Sequence, residues 1–185
     1  MSFAQRLAAH QAVFAALAAQ EAVFARMAQT VIEALRAGHC VFVAGNGGSA
    51  ADAQHFAAEL TGRFVAERRA LAGVALTTDT SALTAIANDY GYEQVFARQL
   101  QGLARPGDVF LGISTSGHSP NILAACAAAK ALQVTTLGLA GRDGGQMHAA
   151  CDTLLVVESD ITAHIQEAHI FLLHGLCAEI DRAFA

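Results

Sequence analysis

Five short apolar runs, each followed by a segment of helical spacing, constrain the fold more than any other feature of this chain. They fall at 40–44, 73–76, 109–113, 134–139 and 154–157 and are mostly β-branched or aliphatic rather than alternating. A strand apolar on both sides needs cover on both faces, which a parallel sheet between helices provides. The intervening segments at 50–61, 81–88, 93–103, 121–132 and 162–184 are long enough for parallel crossovers, with 145–149 the least regular. The sequence predicts an α/β fold: a three-layer sandwich with a five-stranded parallel sheet, in a single domain covering 1–185.

Ahead of the first strand, Leu7, Val13, Phe14, Leu17, Val23, Phe24, Met27, Val31 and Leu35 recur at helical spacing, which predicts one or two long helices over 3–36. The stretch 12–19 is apolar but lacks a basic start, and Gln20, Glu21, Arg26, Glu33 and Arg36 interrupt the apolar residues beyond it. No run then reaches the roughly 18 apolar residues of a membrane span, so no membrane partner is expected. Hydrophobic residues make up 54% of the 185 and charged residues only 15%. That excess reads as buried subunit interface. A net charge of −5 argues against nucleic acid as a partner. Cys40, Cys126, Cys151 and Cys177 show no CxxC pairing and lie in apolar segments, as reduced thiols of a cytoplasmic protein do.

Ligands of such folds sit beyond the carboxyl ends of the strands. The first predicted strand runs into Gly45-Asn46-Gly47-Gly48-Ser49, and the third into Ser114-Thr115-Ser116-Gly117-His118-Ser119. Both loops open helices, so glycine backbone, hydroxyls and unpaired helical amides are offered together to one oxyanion. Phosphate is the expected guest, whereas GxGxxG and GxxxxGK[ST] are both absent, which removes dinucleotides and nucleoside triphosphates. An ordinary capped turn is the competing reading of either loop alone. Arg63, Asn88 and Asp89 stand at helix ends near the same crevice, although a solvated charge and a C-cap explain them equally well.

His55 and Glu59 are at i and i+4, on one face of a helix. On the last helix, Gln166 and His174 are eight residues apart, so both can line one wall. Imidazole and carboxylate from two helices suit zinc, iron or nickel, with glutamine the unusual donor. His10, His39, His148, His164 and His169 receive no role from spacing, and His118 is set apart only by its place in the second loop.

The segments GNGGSAADAQHFAAELTGRF, LTAIANDYGY, GDVFLGISTSGHS, GRDGG and HIQEAHIFLLH, in this order, resemble the phosphoheptose isomerase branch of the SIS family from about residue 30 to the end. The resemblance implies a homotetramer, with residues 1–36 as an N-terminal helical oligomerisation segment and 37–185 as the sandwich, and with active sites at subunit interfaces. It implies zinc bound by His55, Glu59, Gln166 and His174. It implies sugar-phosphate contacts at Asn46, Gly47, Gly48, Asn88, Asp89, Ser114, Thr115, Ser116 and Ser119, with Gln166 and Arg63 beside them. Glu59 and His174 are the expected proton-transfer residues.

The implied reaction is aldose–ketose isomerisation of sedoheptulose 7-phosphate to D-glycero-D-manno-heptose 7-phosphate, on the route to nucleotide-activated heptose and lipopolysaccharide. His118 stands where the family commonly has Asn, and His164 where Arg usually precedes Ile-Gln-Glu, which touches substrate contacts rather than proton transfer. A non-catalytic SIS tetramer that binds the replication initiator is the first alternative. Its kind generally lacks the glutamate and histidine found here at Glu59 and His174. An isomerase for another sugar phosphate is the second.

Overall fold

The computed structural model describes residues 2–185. Strands β1 (Val41–Gly45), β2 (Gly73–Ala75), β3 (Val109–Ser114), β4 (Thr135–Gly141) and β5 (Thr153–Val157) form one sheet in the order β2-β1-β3-β4-β5. Every pairing is parallel, with Val43 opposite Leu111 and Leu111 opposite Leu137. The all-parallel sheet follows from strands that carry apolar side chains on both faces.

Alternate strand residues feed two separate cores. Val41, Val43, Leu111, Ile113 and Leu139 pack beneath α2 (Glu21–Arg36), α3 (Gly48–Thr61) and α8 (Thr162–Phe184). Phe42, Ala44, Phe110 and Ala140 pack against α5 (Ala97–Leu103), α6 (Pro120–Ala131) and α7 (Met147–Ala150) on the other face. Helix α4 (Thr80–Tyr90) buries no side chain and lies outermost.

Two predicted helices divide. The segment 93–103 becomes a 3-10 turn at Tyr92–Gln94 followed by α5, with Val95 and Phe96 fully buried at the junction. The N-terminal segment is α1 (Phe3–Ala16), a 3-10 stretch at Leu17–Gln20 and then α2.

Helix α2 docks through Met27, Val31, Ile32 and Leu35. Helix α1 buries none of its residues and leans on α8 through the His10 to Glu167 contact at 2.7 Å and the Phe14–Phe171 ring pair. By length and composition the run Phe3–Arg36 is apolar enough to cross a membrane, and none of its most apolar window is buried. The docked face of α2 ties the second half of this run to the core instead, which leaves α1 as an unsatisfied apolar surface.

Strand order places the carboxyl ends of β1 and β3 side by side at the switch point, since β1 continues to β2 on one flank and β3 to β4 on the other. Both polar loops emerge into the crevice that opens there.

The buried His169 gives the fold a pH signature. Its Nε2 donates to the Ala140 carbonyl at 3.1 Å, while Nδ1 has no partner. Burial pushes its pKa down to about 4 against that hydrogen bond. An unfolded histidine titrates near 6.5, so the unfolded chain takes up the proton first as pH falls. Stability that is full above about pH 6.5 should decline towards pH 4 by about 3 kcal/mol from this residue. Thermal melts across that window should show a shallower decline in His169→Gln, and an unchanged slope would refute the assignment.

Candidate functional site

Loop 45–49 begins the site. Gly47 adopts φ +57, which glycine tolerates without strain, and as the N-cap of α3 it spends no side chain on the helix end. Asn46 is locked in place by a reciprocal carboxamide pair with Asn121 at 2.9 and 2.8 Å. The Tyr92 hydroxyl donates to the Asn46 oxygen as well, at 3.1 Å. One N–H of Asn46 is left for a ligand. Asn121 is 2% exposed and belongs to α6, so this pair ties the first loop to the helix that the second loop opens.

In the second loop the Ser114 hydroxyl lies 2.8 Å from that of Ser119 and 3.5 Å from that of Ser116. The His118 amide donates to the Ser116 hydroxyl, and Thr115 follows Ser114 on the turn. Ser119 occupies the N-cap of α6 without using its hydroxyl as a cap. Helices α3 and α6 therefore both aim uncapped N-termini at the crevice, an arrangement that favours an anion.

The GRDGG segment supports this loop from behind. Gly117 has φ +67, and any side chain there would run into the Gly144 carbonyl. The Met147 amide donates to the Gly117 carbonyl, and His118 lies against Gly145. A cavity of about 850 Å³ adjoins the loop on the β4–β5 side, lined by Ser116, His118, Arg142, Asp143, Glu158 and Asp160. It does not include Glu59 or His174.

Helices α3 and α8 supply the second half. His55 Nε2 lies 3.1 Å from the Glu59 carboxylate and 3.1 Å from His174 Nε2. The Phe64 ring stacks on His174, and Gln166 covers Gly48 at the start of α3. His55 Nε2 thus faces a carboxylate on one side and an imidazole nitrogen on the other. Among the described residues no three His, Cys, Asp or Glu groups stand close enough together to hold a metal ion. The donor chemistry nevertheless fits zinc: metal–nitrogen bonds of about 2.0–2.1 Å at tetrahedral angles set donor atoms about 3.3 Å apart, near the observed spacings.

Asp52, one turn before His55 and near enough to feel its charge, was unforeseen. One of its carboxylate oxygens is buried with no partner, and burial raises its pKa against the pull of His55. Its signal in the sequence is an acid at i−3 from a candidate ligand. Tyr92, Asn121 and Phe64 were likewise missed, since their contacts join distant segments.

Arg63, Asn88 and Asp89 make local contacts only. Arg63 donates to the Val65 carbonyl and pairs with Glu67 at 3.5 Å, and Asn88 donates to Asp89 at 2.7 Å. His164 lies beside His10 between α1 and α8 rather than at the mouth of the site, 7% exposed and with Nδ1 unpartnered.

This arrangement, a parallel sheet with a hydroxyl loop and an acid–imidazole cluster at its switch point, is that of a sugar-phosphate-handling SIS domain. The SIS domain family profile matches residues 6–141. The chain is 53% identical over 178 residues to the phosphoheptose isomerase of Campylobacter concisus, covering 96% of this chain and 94% of that one. Its structure is similar to that of a phosphoheptose isomerase from Neisseria gonorrhoeae, with a TM-score of 0.87 at 46% identity over 98% of this chain and 100% of that one. For the Francisella tularensis phosphoheptose isomerase the TM-score is 0.90 at 34% identity, with the same coverage. The chain belongs to the phosphoheptose isomerase family of SIS domain proteins.

The carboxamide pair predicts a measurable cost. Asn121→Ala removes both bonds of the pair and leaves the half-buried Asn46 carboxamide with Tyr92 as its remaining partner, which should lower unfolding free energy by about 1 kcal/mol. Chemical denaturation measures it, and a change within error of zero would contradict the role of the pair.

Proposed function

We propose that this chain is an aldose–ketose isomerase that interconverts sedoheptulose 7-phosphate and D-glycero-D-manno-heptose 7-phosphate, acting as a cytoplasmic homotetramer with one zinc per subunit. The observation that carries the reading is the meeting of Glu59 and His174, from separate helices, on one atom of His55. A purely binding SIS protein has no use for a carboxylate and an imidazole converging in this way, whereas an isomerase needs both.

The layout also favours a long substrate. Gly48 and Gln166 mark the phosphate end of α3, and His55 stands seven residues further along, about 10 Å of helix rise. An extended seven-carbon sugar phosphate reaches across that interval, while a triose phosphate does not.

With the phosphate on Ser114, Thr115, Ser116 and Ser119 and the uncapped α6 amides, the reactive carbons reach the α3–α8 cluster. In the ketose-to-aldose direction Glu59 takes a proton from C1. His174 gives a proton to the C2 oxygen and takes one from the C1 oxygen, through a cis-enediol. Glu59 then returns its proton to C2. Each positioned acid–base group contributes about 10²–10⁴ in rate, and the anchored phosphate supplies orientation. His55, Glu59 and His174 would hold zinc, with Gln166, the fourth ligand of the resemblance, lying against Gly48 in the single chain. A bound ion would stabilise the enediolate oxygens, but a ligated carboxylate or imidazole is withdrawn from proton transfer, so ligand and acid–base roles are alternatives for Glu59 and His174.

Purified protein should convert sedoheptulose 7-phosphate in preference to fructose 6-phosphate and ribulose 5-phosphate. Glu59→Gln should lose about 10²–10⁴-fold in kcat while calorimetry still detects sugar-phosphate binding. Retained turnover in that variant would remove Glu59 from the mechanism, and preference for a shorter sugar would reassign the substrate. Elemental analysis and light scattering test the zinc content and the tetramer, and a monomer free of metal after growth with zinc would overturn both proposals.

A further inference from the structure

Below the imidazole pair, the segment that follows α3 is joined to α8 by an ion pair that takes no part in the chemistry above. Arg68 and Asp181 have side chains only 1% and 6% exposed, with Nε 2.9 Å from the carboxylate. Asp181 accepts the amides of Val65 and Ala66 through its other oxygen, both at 2.7 Å. The rest of the guanidinium faces the end of α3: Nη2 donates to the Glu59 carbonyl at 2.6 Å, and Nη1 donates to the carbonyls of Leu60 and Gly62 at 3.0 and 3.3 Å. These are the carbonyls that a helix end leaves without partners.

Burial works to raise the Asp181 pKa, but the two amides and the guanidinium outweigh it and hold the carboxyl below the usual carboxylate range. Asp181 lies two turns beyond His174 on the same stripe of α8. The pair is thus bonded to the backbone of Glu59 on one side and carried on the helix of His174 on the other.

Net stability does not account for such a pair. Burying two charges is costly, and well-packed apolar residues of similar volume often serve the fold as well or better. A guanidinium fork specifies geometry, which apolar packing does not. We propose that Arg68 and Asp181 are positioning residues that set the separation of Glu59 from His174, by fixing where α3 ends and how it lies against α8. The role rests on the isomerase reading of those two residues.

The test compares the wild-type full-length protein with Arg68→Met, Asp181→Leu, their double variant and Arg68→Lys. Each is measured for Tm, kcat, KM and the side-chain nitrogen resonances of His55 and His174. Either single apolar variant strands a buried charge and should lose Tm. The double variant should recover most of that Tm yet keep kcat about 10–100-fold low with KM near wild type, as a displaced catalytic pair requires. Recovery of kcat together with Tm would reduce the pair to a structural element and overturn the proposal.

If the double variant does not fold, Arg68→Lys decides. It keeps the charge beside Asp181, but one ammonium cannot span the carboxylate and the carbonyls of Glu59, Leu60 and Gly62, so kcat should fall well below wild type while Tm falls less than in Arg68→Met. Wild-type kcat in that variant refutes the proposal. A wild-type protein that leaves sedoheptulose 7-phosphate unconverted defeats the isomerase reading alone, and unmoved His55 and His174 resonances in the variants defeat the positioning role alone.

Discussion

The parallel packing of α3 on α8 is the constraint on which the site depends. Three contacts succeed one another along it: Gln166 over Gly48, His174 against His55, and Asp181 joined through Arg68 to the Glu59 carbonyl. Seven residues separate the first two positions on α3 and eight on α8, so the helices advance almost in step. A slip of one turn, about 5.4 Å, would separate all three contacts together. Because both helices descend onto the same face of the sheet, the core residues Val43, Leu111 and Leu139 beneath them set this register.

The sheet does a different task for the anion. Its strand order leaves β1 and β3 adjacent at their carboxyl ends, and the Asn46–Asn121 pair fixes the width of the crevice between their loops. The hydroxyls of Ser114, Ser116 and Ser119 are already gathered by one another, so little reorganisation is needed on binding phosphate. Glycines at 117 and 144 let two loops pack backbone to backbone, which backs the serine loop against the GRDGG segment. Anchoring and chemistry are therefore mounted on different parts of one scaffold.

The sheet was legible because strands buried on both faces must be apolar on both faces, and each of the five runs stands out against its helical neighbours. The break at Tyr92–Gln94 was not legible, because Val95 and Phe96, which follow it, are apolar residues that suit a buried helix or a buried turn equally. Within the site, His55 and Glu59 were visible as an i,i+4 pair, and the resemblance supplied His174. Asn121 and Tyr92 were not, because a buried carboxamide partner leaves no local pattern. The same holds for Arg68 and Asp181, which are 113 residues apart. Arg63, Asn88 and Asp89 gain no contact with either loop from the folding of one chain.

A single chain leaves the chemistry too open. His55 is 46% and Glu59 22% exposed at the side chain, and an enediol formed there would meet solvent protons and a high dielectric that weakens every stabilising charge. On the same side of the fold α1 buries nothing, while Phe3, Leu7 and Phe171 stand 82%, 45% and 54% exposed across α1 and α8. These are two aspects of one deficit, an apolar surface without cover and a catalytic cluster without a roof. An assembly that sheathed α1 and α8 would bury the first and close over the second at once. The proposed tetramer would in that case serve the mechanism as well as the stability of the chain.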